Sequence, residues 1–237
     1  MRANTPPIEA VLARQRADAG EMGVPFASRD VAAEELGYNL KHFRHRDDVT
    51  VLGLPRGGIP LAARVAETLG VPVDTLPVQK ITLDEGQVFG AIAHGGLEVK
   101  VQKHLVGFTP DGSTLARARE LAEQQLVRKM AHYVPLPSSI NNRCAILVDD
   151  GIASGLTMLT AARAARRQGA ASVIVAAPIA SPDAAALLRD ECDELVCLAM
   201  PKPFNSLAEC YLDFAPMTDE ACARLLQSVN RNYRQKG

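Results

Sequence analysis

The sequence predicts an α/β fold built on a doubly wound, mainly parallel five-stranded sheet, and three observations predict it. Short apolar runs alternate with helical stretches of roughly 10–15 residues, the pattern of βαβ units. The runs at 50–54, 144–148 and 172–177 show little polar alternation, as expected of strands covered on both faces. Glycine, proline or a capping residue stands between most runs and the helix that follows.

Residues 1–25 read as an N-terminal helical arm, with Ile8, Val11 and Leu12 at helical spacing and Gly20 and Gly23 ending it. The α/β domain takes 26–237. A helical stretch over 28–43 leads into the first core strand, 50–54, which Pro55-Arg56-Gly57-Gly58 breaks. A helix over 59–69 sets Ile59, Ala62, Ala63 and Ala66 on one face and stops at Gly70. A strand over 73–78 follows. Residues 82–110 are irregular, with β-like stretches at 88–93 and 97–101 that suggest a hairpin excursion from the sheet. A charged helix over 113–130 buries Leu115, Ala118, Leu121, Ala122 and Leu126, and Pro135 and Pro137 end it. The strand at 144–148, a helix over 157–168 closed by Gly169, and a strand at 172–177 come next. Ser181 caps a helix that has Pro182 at its first position, which satisfies the free amides there. A fifth strand at 194–199 and a last helix from about Thr218 complete the chain.

Composition narrows the function. The 237 residues are 47 % hydrophobic and 22 % charged, an ordinary globular mixture. A net charge of −1 lacks the basic excess of a nucleic-acid binder, and 4 % aromatics without Trp gives no platform for stacking single strands. No run approaches the roughly 18 apolar residues of a membrane span. The 5 cysteines form no CxxC pair and read as reduced thiols rather than a zinc site. The first residues lack a secretory apolar core, and Glu9, Asp18 and Glu21 argue against a transit peptide. Together these features predict a cytoplasmic protein with no nucleic-acid or membrane partner.

The chemistry concentrates at 145–157. An apolar strand runs into Asp149 and Asp150, then into the small-residue loop Gly151-Ile152-Ala153-Ser154-Gly155, and Leu156-Thr157 begin a helix. The helix N-terminus offers unpaired amides and a positive dipole end, a ready anion site. Gly151 and Gly155 allow positive φ and a close backbone approach, while Ser154 and Thr157 add hydroxyl donors. The acids do not bind that anion; they suit a sugar diol, the water shell of a magnesium ion or a developing positive charge. A Walker loop is ruled out by Leu156 where its Lys would stand, and a dinucleotide fingerprint by the missing glycine spacing.

This stretch resembles the phosphoribosyl-pyrophosphate (PRPP) loop of type I phosphoribosyltransferases, where an acidic pair precedes a Thr/Ser-Gly-x-Thr/Ser loop. The resemblance implies that Asp149 and Asp150 contact the ribose hydroxyls and, indirectly, Mg²⁺, while residues 153–157 wrap the 5′-phosphate. Pro55, Arg56, Gly57 and Gly58 are similar to the family's pyrophosphate loop, with Arg56 chelating the leaving group and the glycines allowing a strained backbone. Lys80 reads either as a further pyrophosphate contact or as a solvated strand-end lysine. The stretch 26–226 is similar to a subgroup usually called predicted phosphoribosyltransferases, but Gln79-Lys80 stands where members carry Arg-Lys. The family further implies a flexible loop at 80–110, a cap at 200–214 lining the acceptor pocket with Phe204, Tyr211 and Phe214, and a homodimer. Ala153 stands where relatives acting on 6-oxopurines often carry an Asp, which disfavours such an acceptor. The expected activity is Mg-dependent transfer of phosphoribosyl from PRPP to a nitrogen acceptor. The alternatives are a non-catalytic PRPP-binding regulator and a hydrolase or synthetase of phosphorylated ribose.

Overall fold

The computed structural model describes residues 25–84, 86–94, 96–100, 111–133 and 140–236. The arm expected over 1–25 lies outside these residues apart from Pro25, as do 101–110, Pro135 and Pro137. No described helix is long and apolar enough to cross a membrane.

Strand β2 (Val49–Gly53) pairs in parallel with β3 (Val73–Thr75) on one side and β7 (Cys144–Val148) on the other. Strands β8 (Ser172–Ile179) and β9 (Glu194–Ala199) extend the sheet to the order β3-β2-β7-β8-β9, all parallel. Every residue of β2 and β7 is buried, because helices cover both faces. The two-residue pleat then sorts the side chains. Leu52, Leu147 and Val175 pack towards α4 (Leu156–Arg167). Val51, Ile146 and Ile174 pack towards α1 (Arg29–Asn39), α2 (Gly58–Leu69) and α6 (Asp219–Lys236). Helix ends follow local chemistry. Ser28 caps α1, and Ser181 accepts from the Ala184 amide to cap α5 (Pro182–Leu188). Gly70, at φ +68°, ends α2 in the left-handed conformation that glycine adopts without a Cβ clash.

The order β3-β2-β7 means that the chain leaves β2 in one direction and returns through β7 to build in the other. The turns after β2 and β7 therefore share the crevice at this reversal, the place where open α/β sheets bind ligands.

Two elements differ from the sequence reading. The strand expected over 73–78 splits into β3 and β4 (Val78–Thr82), which belong to different sheets. Pro77 has no amide to donate and so cannot continue the ladder. The excursion is a three-stranded antiparallel sheet rather than a lone hairpin: β4 pairs with β5 (Val88–Ala93), and β5 with β6 (Leu97–Lys100). Helix α3 (Gly112–Ala131) lies on it through Ala118, Ala122 and Leu126, which meet Ile81, Leu83 and Ile92. Leu121, expected in that seam, is 50 % exposed, since so narrow a sheet needs only a thin apolar stripe to cover it. A further pairing joins β1 (Phe26–Ser28) to β10 (Tyr211–Asp213), which sets the start of the described chain against the expected cap.

Leu126→Ala should cost about 2–5 kcal/mol of stability, the usual range for emptying a buried leucine site. Leu121→Ala should stay within about 0.5 kcal/mol. Urea unfolding of the two variants separates these outcomes.

Candidate active site

The turn after β7 carries the acid pair. Asp150 is 7 % exposed, and its amide donates to Asp149 Oδ1 at 2.9 Å. Burial, and next the neighbouring Asp150 carboxylate, push Asp149 well above the usual carboxylate range. The loop then runs on beside β8: the Ile152 amide donates to Ile179 O at 2.8 Å, and Ser181 Oγ donates to Ala153 O at 2.6 Å. Gly155, at φ +77°, is the N-cap of α4 and supplies no capping side chain, so the first amides of that helix face outward for an anion. Thr157 is half-buried beside them, and Ser154 and Ala153 are exposed.

These residues enclose a cavity of about 160 Å³ lined by Asp149, Asp150, the 151–155 loop, Thr157, Met158 and Leu207, with Lys80 reaching in from β4. Leu156 is not among the lining residues. Its side chain is buried in the core under the sheet, so it offers the cavity backbone only.

The 55–58 turn meets the acid pair through its glycines. The sequence reading assigned Gly57, Gly58 and Gly151 to strained or positive-φ backbone, and the structure corrects this. Gly57 has an ordinary right-handed conformation at φ −63° and ψ −34°. What requires glycine is space. A β-carbon on Gly57 would strike the Asp150 carboxylate, and one on Gly58 would strike Val148 O and lie 2.9 Å from Asp149 Cα. One on Gly151 would strike the Leu207 side chain. Arg56, joined to half-buried Pro55 by a cis peptide, is exposed above this contact.

Four residues that buttress the site were not legible in the sequence. Arg29, at the start of α1, donates to Asp150 Oδ2 from a position 121 residues earlier, a separation that leaves no local signature. Asp219 accepts from Tyr133 Oη at 2.6 Å, and Cys222 Sγ contacts Arg56 O at 3.4 Å, so α6 backs the 55–58 turn. Lys129, in the last turn of α3, donates to Val78 O at 3.1 Å; burial lowers its pKa, against the opposing pull of Asp219.

Of the aromatic residues expected at an acceptor pocket, Phe204 alone lines a second cavity, of about 540 Å³, with Asp183, Lys202 and Ser154. The two cavities share Ala153 and Ser154. Tyr211 is 4 % exposed and stacks on Phe214 at 5.1 Å, so both rings are engaged within the protein. His94 is exposed and His104 lies outside the described residues.

A family model described as "Phosphoribosyl transferase domain" matches residues 32–214. A Mycobacterium tuberculosis (strain H37Rv) protein, provisionally named a phosphoribosyl transferase, is 32 % identical over 220 residues, covering 90 % of this chain and 48 % of that protein. The ribose-phosphate pyrophosphokinase of Methanopyrus kandleri is 26 % identical over 198 residues, covering 82 % of this chain and 51 % of its own. The chain thus spans about half the length of the curated relatives it matches. Among solved structures, TT1426 from Thermus thermophilus is 32 % identical with a TM-score of 0.69, covering 86 % of this chain and 98 % of that one.

Burial, and next the charge of Asp219, push the Cys222 thiol up to about 11 from an ordinary 9.0. The folded thiol holds its proton more tightly than the unfolded one. This contribution is therefore complete below the unfolded value and is lost as pH rises through about 11. Between those values the protein should lose on the order of 1–3 kcal/mol relative to a Cys222→Ala variant, read from urea midpoints across the window.

Proposed function

Because the chain belongs to the phosphoribosyl transferase domain family, we propose that it transfers the 5-phosphoribosyl group of PRPP to the nitrogen of a nucleobase or another small acceptor and releases pyrophosphate. One observation carries this reading: Asp149, Asp150 and the open N-terminus of α4 line a single cavity with Lys80, against the 55–58 turn.

The α4 amides, with the Ser154 and Thr157 hydroxyls, hold the 5′-phosphate. Asp149 and Asp150 accept from the ribose hydroxyls. Arg56 and Lys80 bind the pyrophosphate, Arg56 through its fork. When the acceptor nitrogen attacks the anomeric carbon, the bond from that carbon to the pyrophosphate oxygen breaks and the ribose ring takes on positive charge. The acid pair favours that charge, and the two cations favour the charge growing on the leaving group. The acceptor's proton passes to solvent, and an acceptor already ionised needs no strong general base. The second cavity, with Phe204 and Asp183 at its wall and Ser154 shared with the first, suits the acceptor, and Ala153 stands at the position where relatives acting on 6-oxopurines often carry an Asp.

Among the described residues no group of three or more His, Cys, Asp or Glu side chains is placed to hold a metal. Two carboxylates beside a phosphate site instead fit an ion held mostly by substrate oxygens and water. Mg²⁺ held in this way, through Asp149 and Asp150, would neutralise charge on the pyrophosphate. The same reading takes a homodimer as the assembly.

Pyrophosphate release from PRPP and Mg²⁺, across nucleobases, orotate and small amines with a no-acceptor control, tests the proposal. Release should depend on one acceptor, stop with EDTA and fall about 10²–10³-fold in Asp150→Asn. PRPP binding with no release would favour a regulator. AMP formed from ribose 5-phosphate and ATP would instead favour the chemistry named for the Methanopyrus relative. Thr157→Ala should weaken PRPP binding about tenfold by calorimetry, the loss of one hydrogen bond to a charged group.

A further inference from the structure

Arg29 takes no part in the scheme above, yet its side chain is committed to one of the two acids. Nε donates to Asp150 Oδ2 at 2.9 Å and Nη2 lies 2.8 Å from the same oxygen, so the guanidinium takes one carboxylate oxygen and leaves Oδ1 outside its grip. Nη1 donates to Ala215 O at 2.7 Å. The guanidinium carbon lies 3.8 Å from the centroid of the Phe214 ring. Phe214 stacks on Tyr211, and Tyr211 Oη donates to Asp150 O at 2.6 Å. These contacts close a circuit that begins on the Asp150 side chain and ends on its backbone. The Arg29 and Asp150 side chains are 13 % and 11 % exposed, which limits solvent screening of the pair. The start of Arg29 is itself fixed: Ser28 is paired with Asp213 across β1 and β10 and caps α1.

We propose that Arg29 is a positioning residue of the ribose site, acting through Asp150 rather than on the substrate. The proposal rests on the phosphoribosyl reading. An aspartate free to rotate must be ordered each time it accepts from a sugar diol, whereas one held at Oδ2 is ordered in advance. Its neighbour Asp149 is buried and held well above the usual carboxylate range, so it offers Asp150 no opposite charge and the ordering falls to Arg29. The guanidinium meets three directions at once: the carboxylate, the Ala215 carbonyl and the Phe214 face. A lysine ammonium has the charge but not the planar fork that satisfies all three.

The test compares wild type, Arg29→Lys, Arg29→Gln, Asp150→Asn and the Arg29→Gln/Asp150→Asn double variant. Each is checked for folding by urea unfolding and titrated by calorimetry with PRPP and Mg²⁺ and, separately, with inorganic pyrophosphate in EDTA. Both Arg29 variants should bind PRPP about tenfold to a hundredfold more weakly, the range for losing a hydrogen bond to a charged group. Their affinity for metal-free pyrophosphate should stay within about twofold of wild type, because without Mg²⁺ that ligand is held by Arg56 and Lys80 and does not use Asp150. The double variant should bind PRPP no more weakly than Asp150→Asn alone. Unchanged PRPP affinity in the Arg29 variants, full rescue by lysine, equal losses for PRPP and pyrophosphate, additive losses in the double variant, or failure of both Arg29 variants to fold would each overturn the role. If the wild type binds pyrophosphate but not PRPP, the ribose reading itself fails and takes this role with it, an outcome distinct from all of these.

Discussion

Parallel pairing between β2 and β7 brings two turns, some ninety residues apart in the chain, to the same edge of the sheet, and the rest of the site depends on how closely their backbones approach. The register matches Gly53 with Val148, and the Leu54 amide donates to Val148 O at 2.9 Å, so the pairing continues one residue beyond β2. From there Gly57 and Gly58 lie against Asp150, Val148 and Asp149 with no room for a β-carbon. A side chain at either position would separate a cation-bearing turn from an acid-bearing one. Such a gap matters more than its size suggests, because the interactions of a site depend steeply on the placement of its groups.

Charge imposes the second constraint. Two adjacent carboxylates withdrawn from water repel each other, and a buried acid is tolerated when it keeps a proton or gains a cation. The protein uses both. Burial favours the proton on Asp149, and Arg29 supplies a cation to Asp150. Lys80 stands across the cavity, while Arg56 sits above the second turn with Lys129 and Asp219 behind it. A cation-rich wall thus faces an acid pair whose own charge is partly answered from within the fold, which suits a ligand with anionic ends and a hydroxylated centre.

The elements that were legible in the sequence are those whose causes are local. An apolar run beside a Gly-Gly turn, Ser181 followed by Pro182, and Gly155 opening a helix each state their geometry within a few residues. The acid pair and its loop were legible for the same reason. Leu121 was misread because helical periodicity gives a face but not its width, and the width here is set by a three-stranded sheet. The strand at 73–78 was misread because its two halves are equally β-prone and only Pro77 marks the break. Gly57 and Gly151 were identified as necessary, but for the wrong cause: sequence suggests conformational freedom, whereas the structure shows crowding.

By itself the sequence determined the α/β class and the positions of most core strands, and it named Asp149, Asp150, Arg56, Lys80 and the 151–157 loop as the candidate site, since each follows from side-chain chemistry and spacing along a few residues. Only the tertiary structure decided that Arg29 answers Asp150, that Tyr211 and Phe214 are spent on that pair rather than left to a ligand, and that α6 supports the Arg56 turn. Those choices join residues far apart in the chain. They are made by the register of β1 on β10 and by the packing of helices on an open sheet, and no local pattern encodes them.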